Sequence, residues 1–166
     1  MADVTAARLL CSFIGQVTPG SPLSGGPILG ALDNGASGEF WTDGRGSKQI
    51  DRIYRADVSL GLGGSTSYNL LAAGGLLDIN NRTIDLDELK VLFIYCLTGT
   101  IAFTAPAADF LPCFGATGDK IKLSAGQYLA LCFGAGGLSL GTSGKFDIVE
   151  PGTAAATYSI AIAGAN

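Results

Sequence analysis

Histidine is absent from this 166-residue chain, and only 14% of its residues carry a charge. Without an imidazole no Ser-His-Asp or Cys-His relay can be assembled, and zinc sites that mix His with Cys are excluded. Cysteine is scarce too. Cys11, Cys96, Cys113 and Cys132 lie far apart with no CxxC pair, so the spacing predicts neither a metal site nor another cofactor site, but reduced and mostly buried thiols. Runs of Lys and Arg are missing. The nearest approach is Arg45, Lys48, Arg52 and Arg55, with Asp51 and Asp57 among them, and the net charge is −4. Following a phosphate backbone needs clustered positive charge, so no direct nucleic-acid partner is expected. No apolar run has the length to cross a bilayer as a helix, so no membrane partner is expected either. The opening "MADVTAARLLCSFIGQV" lacks the layout of a secretory signal, and the expectation is a chain made in a cytoplasm and kept whole.

What is present is a chain that is 48% hydrophobic and rich in glycine. That length suits one domain able to bury roughly two-thirds of its unfolded surface, and the composition excludes intrinsic disorder. So few charges also predict that part of the surface is covered by another chain. Helical spacing is scarce, whereas alternation recurs. Tyr54, Ala56, Val58 and Leu60 share one face while Arg55, Asp57 and Ser59 share the other. Ile121 with Leu123, Phe146 with Ile148, and Tyr158 with Ile160 and Ile162 repeat the pattern. Turn clusters such as "GLGG", "AAGG", "LTGT", "SAGQ" and "EPGT" separate these runs. The predicted strands are 52–60, 66–72, 84–88, 90–97, 100–104, 119–123, 127–133, 145–149 and 157–163. They describe an all-β sandwich over residues 51–166, a jelly roll of about eight strands.

Residues 1–50 differ. Pro19, Pro22 and Pro27 stand among many glycines, which excludes regular helix and predicts an extended arm lying on the body or on a neighbour. Phe40-Trp41 within it are unlike linker residues. With Ile50, Ile53 and Tyr54 they are the predicted contact residues, because aromatic anchors dominate interfaces.

Two constellations invite a chemical reading. Asp85, Asp87 and Glu88 cluster near Asp78, and "DINNRTIDLDEL" loosely resembles a calcium loop. Its sixth position is Thr83 rather than glycine, and its twelfth is Leu89 rather than glutamate. A solvated turn with an acidic strand edge is the expectation, with no catalytic residues and no metal. Over 115–145 the glycines and a Gly-Lys suggest a phosphate cradle. "GTSGKF" has two residues between its glycines instead of four, "GATGDK" has an acid in the lysine's place, and no helical pattern follows either. The stretch is predicted to be strand, tight turn at Ala125-Gly126, strand and return.

From about Gly44 to Ala165 the chain resembles the small jelly-roll virion proteins of tailed bacteriophages, of the head-decoration or cement type. Four segments carry the resemblance by order and spacing: "DGRGSKQIDRIYRADVSL", "TSYNLLAAGGLLDINNRTIDLDELKVLFI", "ATGDKIKLSAGQYLAL" and "KFDIVEPGTAAATYSIAIAGA". Asn69 stands where the family usually has Asp, and the arm is longer and more Pro-rich than the resemblance covers. The resemblance implies a structural protein rather than an enzyme. It implies attachment to the lattice of the major capsid protein on the capsid exterior, and assembly as a homo-oligomer, dimer or trimer. A tail, spike or carbohydrate-binding β-sandwich used in host attachment is the alternative.

Overall fold

The structure, a computed structural model, describes residues 7–8, 40–43, 45, 49–78, 81–152 and 154–166. The described chain is nearly all β. Its strands are β1 (Ala7–Arg8), β2 (Phe40–Asp43), β3 (Gln49–Ile50), β4 (Arg52–Leu60), β5 (Ser65–Asn69) and β6 (Glu88–Thr98). Then follow β7 (Thr100–Thr104), β8 (Lys120–Ser124), β9 (Tyr128–Cys132), β10 (Leu138–Ser139), β11 (Lys145–Val149) and β12 (Ala156–Ala165). One 3-10 turn, Ala72–Gly74, is the only helix among the described residues.

Two antiparallel sheets form a sandwich. The first runs β4-β12-β6, with β9 and the short β10 sharing the far edge of β6; the second runs β5-β11-β7-β8. The strands of five residues or more pair in nested fashion: β4 with β12, β5 with β11, β6 with β9, and β7 with β8. A third, small sheet holds β1, β2 and β3, with β2 and β3 parallel. Of the predicted arm, only these pieces and Arg45 are described; residues 1–6, 9–39, 44 and 46–48 lie outside the described residues.

Alternation builds the core. Tyr158, Ile160 and Ile162 of β12 and Leu92, Ile94 and Cys96 of β6 point inward from the first sheet and are almost wholly buried. They meet Tyr68, Phe146, Ile148, Ile101 and Phe103 from the second. Aromatic rings form a line along that second sheet. Tyr68 stacks on Phe146 with centroids 4.9 Å apart, Phe103 meets Phe146 edge-on at 5.3 Å, and Phe114 covers Phe103 at 4.7 Å. Between the sheets, the hydroxyls of Tyr68 and Tyr158 share a 2.8 Å hydrogen bond, so each satisfies the other where no water reaches.

Corners decide where the chain changes sheet. β6 becomes β7 at Gly99, whose φ is 71° and whose absent Cβ would meet Ala155 O at 2.7 Å. β8 becomes β9 through Ser124–Gln127, a turn closed by Gln127 N donating to Ser124 O at 2.9 Å. Gly126, with φ 82°, takes the position that needs left-handed backbone. This turn docks on the first corner: Ala125 N donates to Gly99 O, and Gly126 N to Cys96 O. The strand-turn-strand reading of 119–133 thus holds locally, although its two strands belong to opposite sheets.

Two strand expectations are corrected. Residues 84–87 do not join a ladder. Ile84 and Leu86 are buried as their alternation required, yet their backbone N–H groups donate to Leu76 O and Leu70 O, and Asp87 N donates to Ala165 O. The segment is an extended tie between loops, and β6 begins only at Glu88. The strand expected at 66–72 ends at Asn69, whose Oδ1 accepts the Leu71 N–H and pulls the backbone out of the ladder into the 3-10 turn. Glu150, 1% exposed, has its carboxylate turned into the far turns, where it accepts N–H bonds from Gly63, Gly152 (2.9 Å) and Ala154 (3.2 Å).

The two glycine corners should respond differently to a methyl group. Gly126→Ala meets open space and carries only the left-handed backbone penalty, about 1–2 kcal/mol. Gly99→Ala adds a backbone collision and should lose more than about 2 kcal/mol. Urea denaturation of the two variants checks the order.

Candidate interaction surface

The outward-facing side chains of the first sheet fall in register across four strands. Ile53, Ala163, Val91 and Cys132 form one row; Arg55, Ala161, Phe93 and Ala130 the next; Asp57, Ser159, Tyr95 and Tyr128 a third. The floor at β12 is therefore small and flat, with rings to one side and an acid-base strand to the other. Phe93 and Tyr128 stack with centroids 6.0 Å apart. Ser159 Oγ donates to Asp57 Oδ1. Arg55 is half-buried, and its Nε and Nη2 are enclosed with no acceptor.

The predicted contact residues divide. Ile50 and Ile53 do come together on this face, packed with Val91 and Ala163, and Ile50 is 3% exposed within the single chain. Tyr54, their neighbour, points the other way into the core, where its ring meets Tyr68 edge-on at 6.0 Å. Phe40 and Trp41 lie on β2, paired in backbone register with Arg8 and Ala7.

At one end of this sheet Asp51 gathers three parts of the chain. Its Oδ2 accepts from Arg52 at 2.7 Å and Arg45 at 3.2 Å, its Oδ1 accepts Asn166 N at 3.1 Å, and its carbonyl accepts from Arg82. Arg82 also pairs with Asp78, whose side chain is fully buried. Arg45 and Arg52, two members of the nearest thing to a basic cluster in the sequence, are thus paired with an acid of the same chain.

The acidic cluster and the glycine loops are likewise engaged internally. Asp85 Oδ1 accepts Ala72 N at 2.9 Å, and Glu88 pairs with the wholly buried Lys90, whose ammonium also donates to Ala135 O at 2.8 Å. In "GATGDK" the carboxylate of Asp119 accepts the N–H groups of Gly115 (2.9 Å) and Ala116 (2.8 Å), occupying the position an anion would take. Lys145 of "GTSGK" is bound to Asp109 at 2.7 Å. No group of three or more metal-binding side chains occurs among the described residues.

Sequence reasoning placed Arg55 and Asp57 on a common polar face without seeing what they could do together. It missed Asp51 as a hub, because nothing local marks a residue whose carbonyl binds a side chain 31 residues away and whose carboxylate binds an N–H 115 residues away. The expectation of mostly buried thiols is also corrected. Among the described cysteines Cys96 is buried, while Cys113 and Cys132 are exposed; all three are free. Cys132 sits at the end of β9, an edge strand among the described residues.

A scan against protein-family models gives no match, and a search of curated proteins gives none either. Among solved structures the chain is similar to the polyketide cyclase RemF from Streptomyces resistomycificus, with 14% identity and a TM-score of 0.37. That similarity covers 68% of this chain and 55% of the cyclase, so the chain spans about half the cyclase's length. At this level of likeness it carries no argument about activity. Among the described residues no helix is long and apolar enough to cross a membrane.

Burial pushes the phenols of Tyr68, Tyr158 and Tyr54 above the ordinary tyrosine range. The folded state therefore holds these protons more tightly than the unfolded chain. The resulting stability is complete below about pH 10 and lost as pH climbs towards the folded values, by up to about 1.4 kcal/mol per pH unit for each of the buried phenols of Tyr68 and Tyr158. Denaturation midpoints should fall above pH 10, and Tyr68→Phe/Tyr158→Phe should flatten that fall. Thiol accessibility gives a second check: alkylation of the native protein followed by peptide mass mapping should modify Cys132 and spare Cys96, whose thiol burial also pushes up.

Proposed function

We propose that this chain is a structural protein of a phage virion, a decoration or cement protein that attaches to the outside of the head lattice and stabilises it. The observation that carries the proposal is the nested pairing of the eight strands of five residues or more. Numbered one to eight along the chain, they pair first with eighth, second with seventh, third with sixth and fourth with fifth. Such nested antiparallel pairing supports a jelly roll, the architecture the sequence resemblance implies. The resembling segments also include strands: the first spans β3 and β4, the third β8, its turn and β9, and the last β11 and β12.

A charge-poor sandwich suits such a role physically. Its outer faces can pack on neighbours with little desolvation penalty, and display on a repeating lattice lets modest contacts hold collectively. In this reading the chain performs no catalysis, and its partner is the major capsid protein.

The test adds purified protein to heads emptied of DNA and stripped of decoration. Saturable co-sedimentation at a fixed ratio to the capsid subunit, with a higher temperature of head disruption, is the expected result. Failure to bind heads, together with retention of a glycan on an array, would move the protein to host attachment.

A further inference from the structure

We infer that β4 is a self-complementary edge that pairs two copies of this chain across a two-fold axis at Ala56. Among the described residues β4 is hydrogen-bonded to β12 and leaves its other edge unpaired, over the nine residues Arg52–Leu60. Ala56 is the midpoint of that strand. In an antiparallel pair centred there, Arg55 faces Asp57 of the second copy, and Asp57 faces its Arg55. Centring on Arg55 or Asp57 instead would set like charges opposite each other and shorten the overlap. The Ala56 register is the one that makes two ion pairs and uses the whole strand.

Three observations converge on it. Among the described residues Arg55 has no carboxylate partner in its own chain; its Nε and Nη2 are enclosed there, which leaves the remaining nitrogen of the guanidinium for a carboxylate of a second copy. Asp57 is exposed on the same face two residues on, held upright by Ser159, and offers the carboxylate that a guanidinium edge fits. On the opposite face Tyr54, Ala56 and Val58 belong to the core side of the sheet yet stay only half-buried, because no strand flanks them. In the pair, Tyr54 lies opposite Val58 of the second copy and the core continues across the axis.

The other edges do not share this property. β8 carries Lys120 and Lys122, and pairing about its own midpoint would bring Lys122 against its counterpart, the usual guard against edge association. β5 and β9 contain no charged residue. A two-fold pair through β4 is closed, so it uses up the edge and does not propagate into fibres.

Charge reversal tests this without heads or capsid protein, so its outcome is independent of the virion proposal. Sedimentation equilibrium of the wild-type protein should give twice the chain mass. Arg55→Asp and Asp57→Arg should each weaken self-association by about tenfold or more, since two attractions become two repulsions. The double variant Arg55→Asp/Asp57→Arg should regain the dimer. An equimolar mixture of the two single variants should form a mixed dimer, which a misfolded variant could not do. A monomeric wild type, a trimer, single variants that remain dimeric, or a mixture that stays monomeric would each overturn the inference. So would an Asp57→Arg variant that loses head binding with no change in mass, because the edge would then belong to the capsid.

Discussion

Between β6 and β7 the chain must leave one sheet and enter the other within a single residue, Gly99, and the sandwich closes around that corner. Left-handed backbone turns β6 into β7 within one residue, and the missing side chain lets Ala155 and Ala156 close against the bend. Because the turn between β8 and β9 hydrogen-bonds to the same corner, two of the points where the chain crosses between layers are locked together. Fixing both corners sets the separation of the sheets. The Tyr68–Tyr158 hydroxyl bond then becomes geometrically possible, and the aromatic line along the second sheet is packed against a wall of known distance.

Polar groups in this fold are used mainly to tie loops. Glu150 binds the turns at one end, Asp51 and Asp78 hold arginines at the other, and Asp119 folds its own turn. Each replaces the water that loop backbone would otherwise bind, and each is acidic, which accounts for an anionic chain with little free charge. The exception is Arg55, a cation enclosed at an edge with two of its nitrogens unused.

Much of the architecture was legible because period-two alternation reports burial directly. β4, β7 and β11 match the expected spans 52–60, 100–104 and 145–149. The failures share a cause. Ile84 and Leu86 alternate correctly, but side-chain periodicity does not say where backbone N–H groups go, and here they go to loops. Asn69 looked like a strand residue because its capping bond depends on a local side-chain geometry. The outer surface was harder still. Ile50 and Ile53, expected as contacts, pack with Val91 and Ala163 of the same chain, whereas Tyr54 was assigned outward on residue type although its own alternation with Ala56 and Val58 pointed inward. A buried acid that binds partners far along the chain leaves no local pattern at all.

The position of β12 has a consequence for how the protein is made. This strand lies between β4 and β6 and pairs with both along its length, joining residues about a hundred positions apart, such as Asp57 and Ser159. Until residues 156–165 have emerged from the ribosome, β4 and β6 have no common neighbour, and the first sheet is limited to β6 with β9 and β10. The second sheet can gather earlier, leaving its aromatic row open to solvent. Synthesis of this chain therefore includes an interval in which half a sandwich waits for its cover, an opening for chaperones that ends only when β12 slides into place.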